Sequence, residues 1–213
     1  MDKLKELALA VEKGNAPSAK ELTDALLKEG MSAQDVLNKG LLPGMDVVGI
    51  KFKNNEIYIP EVLIAARAMS TAMDVLRPIL TETGVKPVGK IILGTVKGDL
   101  HDIGKNLVKM MSQGAGIEVI DLGTDCSPEK FLEAYREHQD VKIIGMSALL
   151  TTTMTNMKSV IDKFESEGMR DEIKIMIGGA PVTEQFANEI GADGYAPDAA
   201  SAAQNFKQIF LAS

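Results

Sequence analysis

The sequence predicts a small bundle of α-helices followed by an α/β domain built on a five-stranded parallel sheet of flavodoxin-like (Rossmann-like) order. Three observations lead to that fold class. Over residues 3–83 apolar side chains recur at helical spacing, and no strand is needed. From residue 91 onward short apolar runs alternate with helical patterns, the grammar of a parallel sheet covered on both faces. Between the two regions, ETGVKPVGK (82–90) carries two glycines, a proline and two lysines without periodicity, and reads as a linker. The expected division is a helical domain over 1–84, a linker over 85–90 and the α/β domain over 91–213.

In the first region Leu4, Leu7, Ala8 and Val11 share one helix face, and Leu22, Ala25 and Leu26 share a second. A third face, after Pro60, reads Val62, Ala65, Ala66, Met69, Ala72, Met73 and Leu76. Gly14 to Pro17, Gly30, Gly40 with Pro43 and Gly44, and Asn54-Asn55 separate them, which gives four or five short helices. In the second region the strands are IILGTV (91–96), IEVIDLG (117–123), VKIIGMS (141–147), IKIMIGG (173–179) and a weak last strand near Tyr195. Helices start near Asp102, Ser127, Thr153, Thr183 and Ala199. Right-handed crossovers leave few topologies for such a chain.

At 213 residues the chain is long enough to bury a core without staples. Its single cysteine, Cys126, excludes an internal disulfide, and no apolar run approaches the roughly 20 residues of a membrane span. The start, MDKLKELALAVEKG, is charged and amphipathic, unlike a secretory leader. A reduced, cytoplasmic location is expected. A net charge of −7 argues against general affinity for nucleic acid or anionic membranes and suits small ligands or protein partners.

In an open parallel sheet the loops after the strands emerge at one edge, and ligands bind there where strand order reverses. The unusual residues of this chain sit in those loops. After the first strand comes Gly98-Asp99-Leu100-His101-Asp102-Ile103-Gly104; after the third, Ser147 through Thr153; after the fourth, Gly178-Gly179-Ala180-Pro181; after the fifth, Ala196-Pro197-Asp198. Two readings of His101 stand. It is either a turn residue satisfied by backbone, or an imidazole that binds a metal through one nitrogen while the other donates to a carboxylate, with Asp99 placed to be that carboxylate. A zinc site built from protein alone wants three or four ligands. The only other histidine, His138, lies in the charged helix end AYREHQD, and Cys126 follows the second strand. A metal here is therefore expected inside a cofactor that brings most of its own ligands. The glycine pair likewise reads as an ordinary strand-to-helix turn or as space kept for a ligand.

Asp99-x-His101-x-x-Gly104, then Ser147-x-Leu149, then Gly178-Gly179 resembles the cobalamin-binding signature of the corrinoid methyltransferases. The elements are spaced by 42 and 28 residues, and each falls in a strand-end loop. The likeness extends over essentially the whole chain: a helical cap before a B12-binding domain is similar to the corrinoid region of methionine synthase and to stand-alone corrinoid proteins of methylamine and methanol methyl transfer.

The resemblance implies that His101 is the lower axial ligand to cobalt, with Asp99 as its acceptor and Thr153 as the hydroxyl at the end of the relay. It implies that the displaced base and its nucleotide tail lie along the sheet, with Ser147 hydrogen-bonded to the base, Leu149 packed on it, and Gly178 and Gly179 leaving room. Gly98, Asp102, Ile103, Gly104, Thr151 and Ala180, in the same loops, complete the cofactor-binding set it implies. Tyr58, in Tyr58-Ile59-Pro60-Glu61, is its candidate for the upper face of the corrin. Met69 and Met73 read instead as helix core, and Lys105 and Asn106 as residues that solvate the first helix of the sheet domain.

By the same resemblance the chain carries a methyl group taken up on Co(I) and is not catalytic alone. The implied donor is a substrate:corrinoid methyltransferase acting on a methylamine or a quaternary amine such as a betaine, with methanol and methoxylated aromatics as alternatives. The implied acceptor is a corrinoid:thiol or corrinoid:tetrahydrofolate methyltransferase, and a reductive activation protein restores the cofactor. Movement of the cap makes the linker the expected hinge. An adenosylcobalamin isomerase needs a barrel over the corrin, and a cobalamin-sensing regulator needs a DNA-binding unit for which there is neither room nor charge. A phosphate-binding module needs a glycine-rich loop after the first strand, and no P-loop or G-x-G-x-x-G is present.

Overall fold

In the computed structural model, which describes residues 2–212, the chain divides into two units: residues up to Pro87, grouped with Gly114–Gly116, and the remainder from Val88. The first is all helix. Asp2 caps α1 (Lys3–Glu12), and Asn15 caps α2 (Ala16–Lys28), with Pro17 in the first turn where no amide hydrogen is required. Ser32 caps α3 (Ala33–Val36), which passes through one π-helical turn (Leu37–Leu41) into α4 (Leu42–Lys53). The last helix, α5 (Ile59–Glu82), is 24 residues long.

Two expectations are corrected here. Gly40, Pro43 and Gly44 do not separate helices; they lie within the continuous run from α3 to α4. Pro43 occupies the first turn of α4, and the glycines admit α1: a Cβ on Gly44 would stand 2.6 Å from the Ala8 carbonyl oxygen. Nor is the last helix short, since it continues through Pro78. That proline and Asp74, whose carbonyl loses its helical partner, both lie on the exposed side where water replaces the missing bond. The face expected for α5 is the buried one, including Val62, Ala65, Met69, Ala72 and Leu76.

The second unit holds β1 (Gly89–Thr95), β2 (Ile117–Asp121), β3 (Ile143–Ser147), β4 (Lys174–Gly178) and β5 (Gly194–Ala196). All pair in parallel, in the order β2-β1-β3-β4-β5. This is the flavodoxin-like order expected. The helices are α6 (Ile103–Gly114), α7 (Pro128–Glu137), α8 (Thr151–Met154), α9 (Asn156–Ser166), α10 (Glu184–Ile190) and α11 (Ala199–Ala212). On one face Ile92, Ile144, Met146, Ile175 and Ile177 join a core with Phe131 of α7 and Val160, Ile161 and Phe164 of α9. On the other, a Cβ on Gly145 would stand 3.5 Å from Phe206 of α11.

Strand ends differ from the apolar runs by a residue or two. β1 starts at Gly89, because the ladder to β2 pairs Gly89 with Ile117 before the apolar run begins. β2 stops at Asp121, because Gly123 turns the chain at φ +81° and donates its N–H back to the Asp121 carboxylate. At the carboxyl ends of the strands, Thr95, Ser147, Gly178 and Ala196 pair in one register row across β1, β3, β4 and β5. Small side chains therefore line the edge from which the loops emerge.

Candidate functional site

The loop between β1 and α6 leaves the sheet next to the loop after β3, since those strands are neighbours where the order reverses. Asp99 lies where the two loops meet, and it is 0% exposed. Its Oδ1 lies 2.7 Å from His101 Nδ1 and accepts the His101 backbone N–H at 3.0 Å. Its Oδ2 accepts the Leu149 backbone N–H and the Thr153 hydroxyl, each at 2.7 Å. Burial pushes the Asp99 carboxyl up, but these four donors outweigh it and hold the group well below the usual carboxylate range. The ionised carboxylate fixes the tautomer of His101: Nδ1 carries the hydrogen turned toward Asp99, and Nε2 keeps its lone pair.

The rest of His101 faces outward. Its side chain is 50% exposed, and near it in sequence Leu100 and Ile103 are 73% and 71% exposed, with Leu149 and Leu150 also exposed. An imidazole with one nitrogen tied to a carboxylate and half its surface exposed, in loops that carry exposed apolar side chains, fits a flat, largely apolar ligand that carries its own metal. Among the described residues no three His, Cys, Asp or Glu side chains gather as a metal site. Asp102 is exposed and accepts from Asn106 Nδ2 at 3.0 Å, and a Cβ on Gly104, one residue into α6, would meet open space.

Ser147 ends β3 half-buried, Thr151 is exposed at the start of α8, and Thr153 is buried. Gly178 is tight, a Cβ there lying 3.0 Å from the Ala196 carbonyl oxygen. Gly179 has a backbone reason of its own: at φ +129° its Cβ would lie 1.9 Å from the Ala148 carbonyl oxygen. The strand-to-helix turn therefore needs glycine before any ligand is considered. Ala180 follows it, exposed. Tyr58 belongs to the first unit, where it precedes α5, is exposed and donates its N–H to Glu61 Oε2 at 3.1 Å.

One residue departs from its sequence reading. Lys105 does not solvate α6: it is 2% exposed, and Nζ bonds Asp121 Oδ1 and Asn106 Oδ1, each at 2.7 Å. Lys109 bonds the other Asp121 oxygen at 3.0 Å. Burial pushes the Asp121 carboxyl up, yet Lys105, the Gly123 N–H and Lys109 bring it down to about 2. Cys126 is buried beside carbonyl oxygens of Leu122, Gly123 and Thr124, and burial raises its thiol pKa. His138 caps α7, away from Asp99 in the chain and on another element.

Three polar residues in the site were not legible in the sequence. Thr95 Oγ1 donates to the His101 carbonyl at 3.0 Å, Asn156 Nδ2 donates to the Lys97 carbonyl at 2.8 Å, and the Asp125 carboxylate accepts the Gly98 N–H at 2.7 Å. Only the φ of +53° at Asp125 marks it, and that is a property of the folded chain.

Comparison with known proteins gives the family. A B12 binding domain family matches residues 89–204, and a second family of the same description matches residues 3–77. The chain is 40% identical over 212 residues to a corrinoid protein of Desulfitobacterium hafniense, covering 98% of each. It is 43% identical over 187 residues to a dimethylamine corrinoid protein of Methanosarcina acetivorans, covering 86% of this chain and 85% of the other. Among solved structures, a chain of the methanol:cobalamin methyltransferase complex of Methanosarcina barkeri superposes with a TM-score of 0.86 at 28% identity, over 100% of this chain and 81% of that one.

Proposed function

The chain belongs to the B12-binding corrinoid proteins, methyl carriers of methyltransferase systems, and from that premise we propose that His101 holds the cobalt from below and that the methyl group comes from an amine. The observation that carries this reading is the line Thr153–Asp99–His101, which ties up Nδ1 on a side chain that is still half exposed, in loops that also expose Leu100, Ile103 and Leu149. When bound, the corrinoid supplies a cobalt that accepts and gives up the methyl group. Every other part is played by side chains and backbone of this protein.

His101 Nε2 would be the nitrogen that holds the cobalt. Asp99, accepting from Nδ1, makes the imidazole a stronger donor and orients its ring. The Nδ1–H of His101 is held on Asp99 Oδ1, while the Thr153 hydroxyl and the Leu149 N–H keep the carboxylate ionised through Oδ2. Gly98, Asp102, Ile103, Gly104, Leu149 and Thr151 are the loop residues offered to the lower face of the corrin. Ser147, Gly178, Gly179 and Ala180, at the edge marked by the small-residue row, are offered to the nucleotide tail. Tyr58 is offered to the upper face on its exposure and its sequence match.

The methyltransferase partners divide into a donor and an acceptor enzyme. For the donor we favour one acting on a methylamine or a quaternary amine such as a betaine, over methanol, because among the superposed structures identity is higher to a monomethylamine corrinoid protein (37%) than to the chain of the methanol complex (28%). For the acceptor we propose a corrinoid:thiol or corrinoid:tetrahydrofolate enzyme, with a reductive activation protein as third partner. Among the described residues no helix is long and apolar enough to cross a membrane, and we place the carrier in the cytoplasm.

The test is a visible spectrum after refolding the protein with hydroxocobalamin and removing free cofactor by gel filtration, beside His101→Ala. The wild type is expected to retain one corrinoid per chain with a spectrum that the substitution changes. Two colourless proteins would overturn the reading.

A further inference from the structure

We propose that Asp125 is a positioning residue for the cobalt ligand, clasping the β1–α6 loop so that Asp99 and His101 are held ready before the cofactor arrives. The inference rests on the methyl-carrier reading and adds to it a residue outside the Asp99-to-Gly104 motif.

The clasp has two bonds. Asp125 Oδ1 accepts the Gly98 N–H at 2.7 Å, and the Asp125 N–H donates to the Asp99 carbonyl at 3.0 Å. Between them they fix the peptide planes on either side of the Gly98–Asp99 pair. Those planes set the direction in which Asp99 leaves the backbone, and its carboxylate must meet four donors from three stretches of chain. A swing of the Asp99 backbone would break the Leu149 and Thr153 bonds together and let the imidazole turn.

Backbone conformation points the same way. Gly98 has φ +81° and Asp125 has φ +53°, so the two loops are joined at left-handed positions. Glycine adopts that conformation freely, whereas an aspartate there is strained and persists where its side chain makes a compensating bond. Asp125 makes it to the neighbouring loop, 27 residues back in the chain. Asn156 on the Lys97 carbonyl and Thr95 on the His101 carbonyl brace the same loop at its two ends. Of the three only Asp125 holds the loop by two bonds, one to its side chain and one from its backbone.

The test uses full-length protein loaded with hydroxocobalamin and reduced to the cob(II)alamin state, where nitrogen splitting of the cobalt electron resonance reports histidine ligation. Asp125→Gly keeps the left-handed turn and loses the acceptor; Asp125→Asn keeps both. The ratio of ligated to unligated cobalt is expected to fall about tenfold in Asp125→Gly, the factor of one hydrogen bond, and to stay within about twofold of wild type in Asp125→Asn, which keeps an acceptor oxygen. In the cofactor-free protein the Gly98 amide should exchange its hydrogen about tenfold faster in Asp125→Gly, for the same lost bond. An unchanged ligation ratio in Asp125→Gly overturns the proposal, whether or not Gly98 exchange changes. A wild type with no nitrogen splitting overturns the methyl-carrier reading instead, and Gly98 exchange then still decides whether the clasp exists.

Discussion

Two carboxylates of the α/β unit, Asp99 and Asp121, are both held below the usual range, yet they are built in opposite ways. Asp121 ends β2 between two ammonium groups, Lys105 and Lys109. Asp99 has no lysine or arginine partner among its bonds; it is surrounded by two backbone amides, a hydroxyl and an imidazole. A carboxylate neutralised by lysine is a closed pair, and its negative charge is spent within the fold. A carboxylate stabilised by neutral donors keeps its charge, directed at whatever proton or cation appears on the imidazole it faces. The first arrangement ties α6 to β2, and the second leaves a charge facing a half-exposed imidazole.

The largest effect should come from opening the closed pair. Asp121→Ala leaves Lys105 buried and without its carboxylate, and should cost about 3 kcal/mol of stability in urea unfolding. The folded fraction should keep the corrinoid spectrum of the wild type. Adding Lys105→Met to Asp121→Ala should restore most of the loss. If it does not, the lysine is not the source of the penalty.

Asp99→Asn should divide the two roles more sharply. The amide offers one acceptor oxygen where two carboxylate oxygens served four donors, so a loss of about 2 kcal/mol is expected. Unlike the Asp121 variants, this protein should show a changed histidine-ligation spectrum even where it is fully folded. Thr153→Val, which removes a single donor to Oδ2, should cost about 1 kcal/mol, and Thr153→Ser should restore both stability and spectrum.

The smallest effect is the one on acid stability. Both groups have folded-state pKa values below the ordinary 3.8, Asp121 at about 2. A depressed carboxyl contributes stability that is complete above the unfolded value and is lost as pH falls through the folded one. Unfolding free energy should therefore decline from about pH 4 down through pH 2. Lys105→Met should flatten the part due to Asp121 and leave the part due to Asp99. A decline unaffected by that substitution would mean the lysine is not what lowers the Asp121 pKa.

Much of this was legible before folding. The strands follow from apolar periodicity, their order was expected among the few topologies that right-handed crossovers leave, and Asp99, His101 and Thr153, singled out by the motif, are joined by hydrogen bonds. Breakers were less reliable. Asn54-Asn55 and Gly14 do end helices, but Gly40 and Gly44 serve close packing on α1, and Pro78 sits inside a helix on its solvent side. Glycine and proline report a local constraint, and the sequence does not state whether that constraint is a turn or a neighbour. Lys105 was misread because lysine is so rarely buried that composition argues for solvent, and its partner Asp121 lies 16 residues on, in the next strand.

By itself the sequence determined which segments are helix and strand, because period and turn chemistry act over a few neighbouring residues. It also determined which loops carry the chemistry, because strand alternation decides the edge at which they emerge. Only the tertiary structure decided which polar groups meet there. Asp125 bonds Gly98 across 27 residues, Leu149 bonds Asp99 across 50, and Asn156 bonds Lys97 across 59. Such contacts follow from strand order and from the backbone directions of the loops, and the one to Asp99 has to form because that carboxylate is buried away from water.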